Sequence, residues 1–236
     1  AESNSWKDVT PTPTLGDTIP TNMKPNSGYA DGAWDPTITA GTEVTGNATY
    51  TYTFKAVKHT ITINYVDGAD GTTAVKDAYT DTQNEGYEYS FDVSSDATGE
   101  IPFIIEKDGK QYVFDQIAEG SADLSETLTT DIVITAEYLV DENKNEVPDK
   151  YEATVTYKVV NGTWEDETTA DKTAQFKLKE FDAESNSWKD ANLTLGDTIP
   201  TGMQANTGYT GGAWDPTITA DTEVTGNATY TYTFNA

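Results

Sequence analysis

Between Asp141 and Glu152 the chain reads DENKNEVPDKYE. Counted from Asp141, side-chain oxygens fall at positions 1, 3, 5, 9 and 12: Asp141, Asn143, Asn145, Asp149 and Glu152. Position 7 is Val147, whose carbonyl offers one more donor. Calcium takes about six to eight hard oxygens at about 2.4 Å, and a carboxylate at position 12 closes the shell with both its oxygens. The spacing therefore predicts a calcium-binding loop, with calcium as the one implied cofactor. Position 6 departs from the pattern. A calcium loop turns there with positive φ and normally holds Gly, whereas this chain has Glu146, at a cost on the order of 1 kcal/mol. A second reading stays open, in which the loop is a solvated polar linker.

Other chemistry is sparse. His59 is the single His, on the apolar face of a strand start, and there is no Cys. Thiol nucleophiles, thiolate metal sites and disulfides are thereby excluded. No nucleophile elbow of the G-x-S-x-G kind and no Gly-rich phosphate loop occurs. Paired carboxylates carry little information among 40 acidic residues. The expectation is a protein that is not an enzyme. Of the five Trp, Trp34 and Trp214 recur at matching places in a repeat. They read either as core rings or as ligand-binding platforms for sugars.

The elements that must hold these residues are strands. Thr is abundant, with Tyr, Val and Ile behind it, a composition suited to pleated surfaces. In HTITINY, His59, Ile61, Ile63 and Tyr65 alternate with Thr60, Thr62 and Asn64, so one face is buried and the other wet. Asp108-Gly109 predicts a hairpin turn. A short helix near Asp190–Leu195 or within Ser121–Leu128 is the most helix the sequence allows.

The formal net charge is −26, and all 14 basic residues are Lys. A nucleic-acid partner is excluded for want of a positive footprint. No apolar run approaches the roughly 18 residues of a membrane-spanning helix, so membrane insertion is not expected. The charge favours solubility and cation binding.

The chain also repeats itself. AESNSWKD occurs at 1–8 and 183–190, LGDTIPT at 15–21 and 195–201, GAWDPTITA at 32–40 and 212–220, and TEVTGNATYTYTF at 42–54 and 222–234. The offset is 182 at first and 180 later, because VTPTPT at 9–14 is two residues longer than ANLT at 191–194. The C-terminal copy follows two strand-like stretches, YEATVTYKVVNGTW (151–164) and AQFKLKEF (174–181); the N-terminal copy has no counterpart of them. The predicted organisation is therefore an incomplete repeat module at 1–55, a different β module at 56–140, the calcium-loop-like linker at 141–152, and a complete repeat module at 153–236. Residues 1–55 are left able to pair strands with a neighbouring chain.

These residues carry a resemblance. With VTYKVVNGTW, GYTGGAW and ATYTYTF, the C-terminal copy resembles tandem repeats of Gram-positive cell-surface proteins. The 56–140 module, opening with ITINYVDGADG and closing with IVITAEY, resembles the mucin-binding-protein (MucBP) type. The 141–152 loop is similar to thrombospondin type 3, dockerin-like and EF-hand loops. The resemblance implies a mostly β fold of tandem, small β-grasp-like modules in an elongated arrangement. It also implies an extracellular, cell-wall-attached stalk or adhesin segment of a larger protein. Host or bacterial surface glycans or proteins are the implied partners. A glycan- or mucin-binding module, and a filament subunit assembled by strand donation, are the alternatives.

Overall fold

A computed structural model describes residues 10–95 and 97–236. Trp6 and the AESNSWKD segment at 1–8 lie outside the described residues. The strands, in chain order, begin with β1 (Tyr29–Asp35), β2 (Thr51–Ala56), β3 (Lys58–Asp67), β4 (Ala74–Asn84), β5 (Glu88–Ser90) and β6 (Val93–Ser94). Next come β7 (Ile101–Pro102), β8 (Ile104–Lys107), β9 (Lys110–Ile117), β10 (Ser125–Thr127) and β11 (Ile132–Asp141). Beyond the loop lie β12 (Glu152–Val160), β13 (Gly162–Thr163), β14 (Lys172–Lys177), β15 (Lys179–Asp182) and β16 (Ser187–Asp190). The last are β17 (Gln204–Ala205), β18 (Thr210–Asp215) and β19 (Ala228–Asn235).

The fold is mostly β. Neither expected short helix forms. Residues 190–195 instead lead into a 3-10 turn at Gly196–Thr198, and Ser125–Thr127 pairs as β10. The reason is local. Thr198 caps its own turn by donating to the Leu195 carbonyl, and alternating Thr residues favour the ladder over a helix.

The chain divides into two compact units. Within the described residues, the first comprises residues 10–61, 80–90 and 125–132. It contains the N-terminal copy as the antiparallel pair β1–β2, with Trp34 opposite Tyr52 and Asp35 opposite Thr51. The ladder bulges between Ala30 and Gly32. Glycine is required at position 32, because a Cβ there would collide with the Tyr52 ring and the Thr53 carbonyl. A second pair, β10–β5, is antiparallel. His59 lies mostly buried, with Glu85 at 3.5 Å and Asp131 at 3.8 Å, on the strand face its alternation predicts.

The second unit comprises residues 62–79, 91–124 and 133–236. Here residues 62–67 of β3 and 74–79 of β4 join β11, β9 and β8 in the sheet order β4-β3-β11-β9-β8. Ile63, Tyr65, Val113, Phe114, Ile134, Ala136 and Tyr138 are fully buried beneath it. The β8–β9 hairpin turns at Asp108-Gly109, both with positive φ, as the Asp-Gly pair predicts.

The C-terminal copy forms a second sheet, β14-β12-β19-β18. Its centre is a parallel pairing of β12 with β19, Val155 opposite Ala228 and Tyr157 opposite Tyr230. Ala153, Val155 and Tyr157 point inward from β12, and Trp164, Leu195, Ile218 and Val224 close the core. Trp164 is fully buried, and its indole N–H donates to the Ala170 carbonyl at 2.7 Å.

Candidate functional site

Both ends of the Asp141–Glu152 loop are anchored by strands. Asp141 is the last residue of β11 and Glu152 the first of β12. Asp141 is fully buried, and its carboxylate is satisfied by three donors. Oδ2 accepts from Gln111 Nε2 of β9 (2.8 Å) and from the Glu146 amide (2.8 Å), and Oδ1 from the Asn145 amide (3.3 Å). A buried carboxylate is tolerable only when donors replace its water in this way. Asn143 Oδ1 also accepts from the Asn145 amide (3.1 Å), and Asn145 Oδ1 accepts from the Val147 amide (3.0 Å). These side-chain-to-backbone bonds wind the loop by the local mechanism that Asx residues supply.

Glu146 takes φ +68°, the left-handed conformation its position demands, and Lys144 takes φ +58°. The strain expected of a non-Gly residue at position 6 is therefore present.

The six sequence-predicted ligands are not equally assembled. Asn143 and Asn145 both reach Glu152, donating their amides to Oε2 and Oε1 of its carboxylate. Asp141 sits behind them through the Asn145 amide. Asp149 turns away, accepting the Glu142 amide at 3.1 Å. Val147 is buried. Among the described residues, no three His, Cys, Asp or Glu side chains converge on one point. The assembled set is thus one carboxylate and two amides. A half turn of each amide would present its oxygen in place of its nitrogen. These are hard donors, whose chemistry suits calcium and not a soft metal.

Sequence reasoning missed how firmly the loop is tied to its surroundings. Gln111 holds Asp141 from β9. Lys177 of β14 donates to the Asn145 carbonyl at 3.1 Å, and Lys144 bridges to both oxygens of Glu106 on β8 at 3.0 and 3.1 Å. Beside the loop lies an aromatic joint. Phe181 and Trp188, paired across the β15–β16 hairpin, meet Phe103 and Phe114. The Phe103–Phe181 centroids are 4.7 Å apart, and Tyr151 packs on Trp188 at 5.3 Å. Trp188 Nε1 donates to the Phe114 carbonyl at 2.9 Å, and the Tyr151 hydroxyl donates to Asp115 Oδ1 at 2.6 Å. Burial, reinforced by that bond and by the Asp115 charge, pushes the Tyr151 phenol well above its usual range. No periodic signal marks these residues, because they come from three strands, the link between β7 and β8, and a 3-10 turn.

The two Trp singled out as ligand platforms are held by other rings. Trp34 meets Tyr52 edge to face at 5.2 Å. Trp214 meets Tyr232 at 5.3 Å and Tyr157 at 5.7 Å, and packs on the core of the C-terminal copy. Both remain half-buried. Lys158 is exposed beside Asp171 at 3.3 Å.

No protein-family model matches the chain, and no curated protein matches it either.

Proposed function

We propose that the chain is a non-enzymatic stalk or adhesin segment of a larger extracellular bacterial surface protein, with a cation loop that stiffens the joint between two of its β modules. The observation that carries this reading is the double anchoring of the 141–152 loop. Gln111 reaches it from the sheet before, Lys177 from the sheet after, and the Trp188 joint lies beside it. A segment that spaces or displays needs such a joint, since two β modules joined by a free linker would swing independently.

Asn143, Asn145 and Glu152 would hold calcium, joined by Asp141, Asp149 and the Val147 carbonyl on closure. Bound calcium would supply positive charge to a chain of net charge −26 and tie the loop's oxygens together. Protein–protein spacing needs no reactive group, and the ring-against-ring packing of Trp214 is compatible with that.

Differential scanning calorimetry with calcium and then with chelator tests the proposal, paired with small-angle scattering for flexibility at the joint. Calcium should raise the melting temperature and narrow the distribution of sizes, and chelator should reverse both. Identical melting curves and scattering profiles under the two conditions would remove the metal from the reading.

A further inference from the structure

Lysines border the 141–152 loop, and most of them are engaged with other partners. Lys144 bridges both oxygens of Glu106. Lys150 lies over the Tyr151 ring, 5.4 Å from its centroid. Lys179 lies over the same ring at 4.9 Å and faces Asp190 at 3.7 Å. Lys177 differs. It stands opposite Glu152 in the antiparallel β12–β14 ladder, yet among the described residues it forms no ion pair with any carboxylate. Its ammonium instead donates to the Asn145 carbonyl at 3.1 Å. Asn145 in turn gives its side-chain amide to the Glu152 carboxylate.

We propose that Lys177 is a built-in counter-ion that competes with calcium for this loop, an inference that rests on the cation reading given above. An ammonium is a compact monovalent cation with three donors. Tethered on β14, it brings positive charge to the loop without an ion from solution. It also steadies the arrangement in which Asn145 presents nitrogen to Glu152. Calcium needs the opposite arrangement, with the Asn143 and Asn145 side-chain oxygens turned toward the ion.

Calcium would also enter against a like charge that no carboxylate pairs with. Like charges close together oppose each other, and salt weakens that opposition where the groups are exposed, as Lys177 is. Lys177 therefore lowers the loop's calcium affinity and makes it depend on ionic strength. The left-handed Glu146 weakens the loop too, but backbone strain is insensitive to salt, which separates the two effects. A loop opposed in this way releases calcium at concentrations where an unopposed one stays loaded.

The test titrates calcium calorimetrically into the full chain and into Lys177→Met, which keeps the aliphatic stem and removes the charge. Lys177→Met should bind calcium roughly three- to tenfold more tightly at low ionic strength. The gap should shrink in about 0.5 M potassium chloride. Lys177→Arg, which keeps the charge, should stay close to the parent. In chelator, Lys177→Met should exchange its amides over residues 143–147 faster than the parent does. Equal affinities of parent and Lys177→Met overturn the proposal, as does a gap that salt leaves unchanged or unaltered exchange in chelator. Absence of calcium heats from both chains overturns it together with the cation reading, an outcome distinct from equal, measurable affinities.

Discussion

Among the described residues one copy of the repeat carries a four-stranded sheet and the other a two-stranded pair, and the contrast separates what the repeat encodes locally from what neighbouring strands add. The segments 195–224 and 15–44 fold alike without regard to their sheets. Their bridges, Thr14 to Glu43 and Thr194 to Glu223, are equivalent, and so are the Thr39–Thr42 and Thr219–Thr222 turns. Close contacts of low sequence separation suffice for that. Burial does not come the same way. Leu195 is 1% exposed only because Tyr157 and Trp164 arrive from a hairpin lying 31 residues or more upstream. Framework is local, and core is supplied by pairing.

The largest test removes the supplier. Trp164→Ala empties the most voluminous fully buried side chain of the C-terminal copy and should cost about 3–5 kcal/mol. Chemical denaturation followed by exchange at residues 228–230 would show those residues losing protection, so that this copy comes to match its N-terminal counterpart. If residues 228–230 stay protected, the parallel pairing is not what orders them.

A paired substitution sharpens the contrast. Leu195→Ala should cost about 2–5 kcal/mol, within the range for a buried Leu, while Leu15→Ala at the half-buried counterpart should cost about 1 kcal/mol or less. Equal losses in the two urea titrations would mean that Leu15 is packed as fully as Leu195.

The loop ahead of the C-terminal copy gives a smaller effect of opposite sign. Glu146→Gly relieves a left-handed residue and should stabilise by about 1 kcal/mol or less, since glycine also has more freedom to lose on folding. The same variant should bind calcium more tightly in a calorimetric titration. Destabilisation by this change would show that the Glu146 side chain makes a contact worth more than its strain.

Alternation made the strands legible. Ile61, Ile63 and Tyr65 are buried, as is the 153, 155 and 157 face of β12. The Asp108-Gly109 turn and the positive φ at position 6 were also readable, since each is a property of a few adjacent residues. The six loop positions could be named from spacing, but not the turning away of Asp149 to the Glu142 amide, which depends on the 3-10 turn at Asp149–Tyr151. The Trp188 joint was invisible for a related reason. Its partners Phe103, Phe114 and Tyr151 are distant in sequence, and no motif constrains residues that meet only after two sheets have formed.

The smallest effect expected is acidic. Asp166 and Asp182 belong to the part of the repeat with no counterpart among residues 10–55. The Asp166 carboxylate accepts from the Thr168 hydroxyl and amide and from Lys172, and is held down to about 2. Asp182 accepts chiefly from Lys189, then from Ser185 and the Glu184 amide, and is likewise held to about 2. A carboxylate with a depressed folded pKa stabilises above its ordinary value, near 3.8, and that contribution disappears as the pH falls through 2. Both groups are exposed, so solvent and salt screen them and the effect stays small. The double variant Asp166→Asn, Asp182→Asn should therefore melt slightly below the parent at pH 6. The two curves should draw together between pH 4 and 2, with exchange at residues 48–54 unaffected throughout. A gap that stayed constant down to pH 2 would assign the loss to altered turn geometry at Thr168 and Ser185, leaving charge without a part in distinguishing the two copies.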